Sequence, residues 1–182
     1  MRDPDQRRVN SHRYPGYDYA QPGMVFITVC TAGRQRLFGR VEQQGVVLSP
    51  AGDAVKRRWQ GIPERFPGVA VDAFVVMPDH LHGILAMGSD PDVTAAPTTG
   101  DVVRWLKNAV LRDYADGVRR AGWEPYDRAL WQRDYYDRII RTDSELAARR
   151  AYIVTNPSRW WEAEIGWDDE DVGRRVHGCH LG

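Results

Sequence analysis

Residues 71–87 constrain the fold more than any other stretch. Two apolar runs, 73–77 and 84–87, flank the polar group Pro78, Asp79, His80, Leu81 and His82. The runs are short and bounded by turn-type residues, as buried strands are. Pro78 has no N–H for a ladder, so a turn or bulge falls there and a second strand restarts near His80. Alternate side chains of a strand share a face, so His80 and His82 point one way and Leu81 the other. Two imidazoles on one strand face make half of a divalent metal site. The plainer alternative is two histidines bonded to backbone or solvent. Only five histidines occur in 182 residues, and two of them sit inside the most apolar segment. Burying both without a partner is costly, which favours a metal- or phosphate-binding role. Asp79 reads first as a turn residue after Pro78; the other reading is that it orients a neighbouring histidine.

The rest of the chain supplies the sheet and helices around this pair. Residues 24–31 are a strand by β-branched and aromatic content, with Val25, Ile27, Val29 and Thr31 on one face and Phe26, Thr28 and Cys30 on the other. Residues 37–39 and 45–48 suggest a short hairpin or an extended loop. Ser49 as N-cap and Pro50 at the first turn start a helix whose core stripe is Val55, Trp59 and Ile62, with Pro63 ending it. Residues 88–100 read as a loop, 101–114 as a second helix, and 117–127 as a connection. A fourth strand lies within 129–141. Thr142 and Glu145 form a capping box that opens a third helix, which Pro157 is expected to stop near Asn156. That helix directs Leu146, Ala147, Ile153 and Val154 to the core, so its Tyr152/Asn156 side need not be the one against the sheet. The order predicts an α+β fold: a ferredoxin-like split βαβ (RRM-like) antiparallel sheet with helices on one face, plus an additional C-terminal helix. No internal repeat is present.

A chain of 182 residues is long enough for one full domain. The expected division is a polar Arg/Tyr-rich arm over 1–23, the domain over 24–160, and an acidic tail over 161–182. No apolar run approaches the ~20 residues of a membrane span, and the first residues have no secretory h-region. Cys30 and Cys179 make no zinc pattern or disulfide framework, which fits a reducing cytoplasm. Net charge is zero, yet residues 1–160 hold 23 basic against 19 acidic side chains and residues 161–182 hold 2 against 6. The body is therefore mildly basic. Arg7, Arg8 and Arg13 interleave with Tyr14, Tyr17 and Tyr19, a pattern able to track phosphates and stack on bases; a leader packed over the body is the alternative. Arg133, Arg138 and Arg141 are further candidates for phosphate contact, against a solvated strand face.

Tyr152 and Asn156 are i and i+4 on the third helix and so share a face. A phenol near a metal can attack a phosphodiester and hold it as a phosphotyrosine, dividing one difficult transfer into two reversible steps. Asn156 is placed to complete the coordination or to position the phosphate. Against this stands a half-buried tyrosine whose hydroxyl is simply bonded. Tyr135 and Tyr136 fall on opposite faces of their strand and read as packing or stacking residues.

The sequence Met-Pro-Asp-His-Leu-His-Gly, then Leu-Trp-Gln-Arg-Asp-Tyr-Tyr-Asp-Arg-Ile-Ile-Arg, then Tyr-Ile-Val-Thr-Asn-Pro resembles the single-tyrosine HUH transposases, and within them the REP-associated tyrosine transposases. The resemblance runs from about residue 22 to 160 with the motifs in the family's order. It implies that His80 and His82 are the HUH pair binding Mg²⁺ or Mn²⁺, that Tyr152 is the nucleophile, and that Asn156 stands where classical members carry glutamine. It also implies a metal-dependent single-stranded DNA endonuclease and strand transferase acting in DNA transposition and recombination on hairpin DNA of REP elements. Such a protein works in the cytoplasm at the nucleoid, as a monomer or homodimer. Two rivals remain: a silent hairpin DNA- or RNA-binding protein of the same fold, and a metal-dependent phosphodiesterase that uses water.

Overall fold

The strand that carries the histidines is central in the sheet. In the computed structural model, which describes residues 23–88 and 97–165, β1 (Gly23–Cys30), β4 (Val69–Met77), β5 (His80–Met87) and β6 (Tyr136–Ile140) form an antiparallel sheet in the order β4-β5-β1-β6. Helix α1 (Pro50–Gln60) precedes β4 and α3 (Thr99–Ala121) precedes β6. This is the predicted split βαβ arrangement. A separate hairpin, β2 (Gly39–Glu42) with β3 (Gly45–Leu48), leads into α1, and the short α2 (Ile62–Arg65) follows it. Helix α4 (Asp143–Ile165) ends the described chain. No helix among the described residues is long and apolar enough to cross a membrane.

Alternation along β1 and β5 gives the sheet two unlike faces. Val25, Ile27, Val29, Leu81 and Leu85 join Val55 and Trp59 of α1 and Leu106 and Val110 of α3 in the larger core. Phe26, Ile84, Ile140 and Ile153 form a smaller cluster beneath α4. Between the strands, Thr28 faces His82 and Cys30 faces His80 in register. Gly83 is required by the larger core: a Cβ there would lie 2.2 Å from the Trp59 ring.

Several boundaries differ from expectation. Helix α1 ends at Gln60 with Gly61 as its C-cap, and Pro63 lies in the first turn of α2, where a missing N–H costs no helical bond. Helix α3 starts earlier, through a capping box of Thr98 with Asp101, and runs to Ala121, closed by Gly122 in the left-handed conformation (φ 68°). Gly117 lies inside this helix, where the Trp123 ring packs so close that a Cβ would fall 2.1 Å from it.

Helix α4 departs most. Pro157 lies inside it rather than ending it. Contacts beyond the proline hold the extra turns: Trp160 packs on His80, and Glu164 pairs with Arg36 at 2.6 Å. Residues 161–165 therefore continue the helix, and only 166–182 of the expected acidic tail lie outside the described residues. The buried side also differs. Val154 is 73% exposed and Ala147 is exposed. Leu146, Arg149, Ile153, Asn156 and Trp160, spaced by three or four, face the sheet, as one stripe of a packed helix must. Three ion pairs fasten α4 to two strands and a loop: Arg138–Glu145, Arg150–Asp72 and Arg36–Glu164. Asp72 sits where β4 shifts register against β5.

Candidate active site

His80 opens β5 immediately after the turn at Pro78 and Asp79. That turn is anchored from outside: Thr31 donates to the Asp79 carbonyl through both N–H (2.9 Å) and hydroxyl (3.0 Å), and the Phe38 N–H donates to Pro78 (2.9 Å). With Leu81 buried in the core, both imidazoles emerge on the other face, their Nε2 atoms 3.0 Å apart. Each Nδ1 is held from behind. His80 Nδ1 lies 2.5 Å from Asp79 Oδ1, while Asp79 Oδ2 receives Arg34 Nε at 3.0 Å. A carboxylate at Nδ1 keeps the proton there and leaves the Nε2 lone pair facing the site. Asp79 is thus more than the turn residue first read from sequence. His82 Nδ1 lies 2.8 Å from Thr28 Oγ1, and a hydroxyl can serve either tautomer. Burial, then the charges of His80, Arg34 and Arg149, push His82 down from 6.5 to about 2. His82 is accordingly a neutral imidazole at physiological pH.

Helix α4 lays Tyr152, Asn156 and Trp160 over this pair. The Tyr152 hydroxyl is 3.4 Å from His82 Nε2, and its ring meets His82 edge-on with centres 5.2 Å apart. Asn156 is buried. Trp160 lies 5.8 Å from the His80 ring, with the Arg36 guanidinium over the indole at 5.3 Å. Trp160, Arg34 and Arg36 were not singled out from sequence. Trp160 continues the i+4 spacing of Tyr152 and Asn156, a signal hidden by taking Pro157 as a helix end.

Among the described residues no group of three or more His, Cys, Asp or Glu could hold a metal. A metal here would rest on the two imidazoles with the Asn156 amide as third donor. The 3.0 Å spacing of the two Nε2 atoms matches the roughly 3.0 Å between adjacent ligands of an octahedral ion at ~2.1 Å.

These groups line an open cleft of about 1290 Å³ whose walls include Phe26, Tyr136 and four arginines, Arg34, Arg138, Arg149 and Arg159. Of the sequence candidates for DNA contact, Arg138 lines the cleft and is bonded to Glu145 at 2.8 Å. Arg133 and Arg141 are exposed but do not line it. Arg7, Arg8 and Arg13 lie outside the described residues. Tyr135 packs toward the larger core and Tyr136 lines the cleft, on opposite faces as expected.

No family model matches the chain. An uncharacterized protein of Haemophilus influenzae is 33% identical over 171 residues, covering 85% of this chain and 91% of its own length. A second protein of that organism, named "Putative REP-associated tyrosine transposase", is 22% identical over 151 residues, covering 81% of this chain and 77% of its own. The solved structure of a REP-associated tyrosine transposase bound to a REP hairpin is similar with a TM-score of 0.56 and 16% identity, covering 91% of this chain and 99% of that one. The chain thus resembles the REP-associated tyrosine transposases, in sequence through the second relative and in fold through the solved structure. The ferredoxin-like α+β architecture described above is the fold it shares with that REP-associated tyrosine transposase.

Proposed function

We propose that the protein is a metal-dependent single-stranded DNA endonuclease and strand transferase that acts on hairpin-associated DNA through a 5′-phosphotyrosine. The observation that carries this reading is the Tyr152 hydroxyl 3.4 Å from His82 Nε2, directly over a histidine pair whose Nε2 atoms are 3.0 Å apart. His80 and His82 would hold Mg²⁺ or Mn²⁺, with Asn156 as the third protein donor. The cation, when bound, supplies Lewis-acid polarisation of a phosphoryl oxygen.

The chain's own groups do the rest. Asp79 and Thr28 fix the two rings so that both Nε2 atoms face the cleft. The Tyr152 oxygen attacks phosphorus; the Oη–P bond forms and the P–O3′ bond breaks. The net result moves the phenolic proton to the departing 3′-oxygen and leaves the 5′-phosphate on Tyr152. Reversal on a different 3′-hydroxyl rejoins the strand, and the phosphotyrosine conserves the bond energy, so no nucleotide cofactor is needed. The neighbour bound to a REP hairpin supports a hairpin substrate, and the cleft arginines and aromatics suit a single strand beside it.

The test is a denaturing gel with Mn²⁺ and labelled single-stranded DNA carrying a hairpin, comparing wild type, Tyr152→Phe and His80→Ala. A covalent protein–DNA band in wild type, absent from both variants, is the expected result. Tight hairpin binding with no band at any metal would make the protein a silent binder. Cleavage that survives Tyr152→Phe would make water the nucleophile.

A further inference from the structure

Of the four cleft arginines, two lie away from α4: Arg34 pairs with Asp79 at 3.0 Å and Arg138 with Glu145 at 2.8 Å. The other two flank Tyr152 on α4. Arg149 is three residues before it, on the same side of the helix, and Arg159 is seven residues after. Arg159 lies over the Tyr152 ring, 5.7 Å from its centre. Arg149 lies over Phe26, 5.2 Å from that ring's centre. The same Phe26 ring stacks on His82 at 5.4 Å and meets Tyr152 edge-on at 6.0 Å. Phe26 is therefore a common floor on which Arg149, His82 and Tyr152 converge.

We infer that Arg149 is a catalytic residue that contacts the scissile phosphate and stabilises the charge on its non-bridging oxygens while the Tyr152 oxygen attacks. The inference rests on the phosphotyrosine reading above and adds to it a group with a stated role. A planar guanidinium presents paired donors that match two phosphate oxygens. Stacking on Phe26 fixes the plane of the group before substrate arrives. The apolar ring beneath also lowers the local dielectric, so a charge there acts more strongly than one in water. Groups placed in advance where charge develops are worth on the order of 100-fold or more in rate.

The test measures single-turnover adduct formation by the full chain with Mn²⁺ on a labelled hairpin-bearing single strand, for wild type, Arg149→Ala, Arg149→Gln and Arg149→Lys. Hairpin affinity by gel shift and melting temperature are measured alongside. Arg149→Ala and Arg149→Gln should both be slower by about 100-fold, Arg149→Lys should recover at least part of that loss, and affinity and melting should change little. Glutamine keeps length and packing without charge, so an Arg149→Gln rate equal to wild type would overturn the proposal. A loss that follows hairpin affinity or melting temperature would also overturn it, making Arg149 a binding or folding residue. Absence of any adduct in wild type is a different failure, that of the phosphotyrosine reading itself.

Discussion

The two faces of the sheet are built from the same strands and are held in different ways. On the face covered by α1 and α3, Val25, Ile27, Val29, Leu81 and Leu85 meet Trp59 and Leu106, all at 3% exposure or less. On the other face, Phe26, Thr28, His80 and His82 meet α4, which contributes Ile153 to a small cluster and otherwise relies on three half-exposed ion pairs. The first face supplies stability by burial. The second buries polar groups instead, at the floor of an open cleft, which gains less stability, and the first makes that affordable. A one-residue slip of β5 would exchange the faces, and Gly83 under Trp59 is one of the contacts that forbids it.

The comparison is broken most strongly from the core side. Trp59 is fully buried, so Trp59→Ala should cost about 3–5 kcal/mol in urea unfolding. Tyr152→Phe removes only a hydroxyl at 3.4 Å and should cost less than about 1 kcal/mol while abolishing the adduct. Equal losses of stability would mean that the cleft face is part of the core.

A smaller effect comes from pH. His82 is pushed to about 2 in the folded chain, whereas the unfolded chain takes up this proton near 6.5. Its contribution is therefore complete above pH 6.5 and is lost as pH falls from there toward 2. Below 6.5 it should amount to about 1.4 kcal/mol per pH unit. Denaturant titrations in chelator at pH 7, 6 and 5 should show a steeper decline for wild type than for His82→Asn; parallel lines would contradict the burial of a neutral imidazole.

The smallest effect concerns the fastening of α4. Arg150 grips Asp72 through both nitrogens at 2.8 and 2.6 Å, which holds the Asp72 carboxyl below its usual range, but the pair is partly exposed. Arg150→Ala should lower global stability only slightly. By hydrogen exchange the amides of α4 should open faster and those of α3 should not change. Uniform acceleration would mean that the two faces unfold as one unit.

The same contrast explains what was legible in the sequence. The faces of β1 and β5, the N-cap at Ser49 and the pairing of Tyr152 with Asn156 follow from local rules of alternation, capping and helical spacing, and the structure has all three. What the sequence hid depends on contacts between distant elements. Pro157 breaks a helix by local rules, but Trp160 on His80 and Glu164 on Arg36 carry α4 past it. Asp79 reads as a turn residue until Arg34, 45 positions earlier, is seen gripping its second oxygen. Val154 looks like a core residue, but the face of α4 that carries it is turned to solvent.

The central claim is that the tyrosine above the histidine pair is the one that takes the DNA. Tyr136 lines the same cleft, so the claim has a built-in rival. The direct measurement is tandem mass spectrometry of the trypsin- and nuclease-treated adduct, locating the residual nucleotide. The account predicts the phosphate on Tyr152. A phosphate on Tyr136, or an adduct on any other residue, would contradict it.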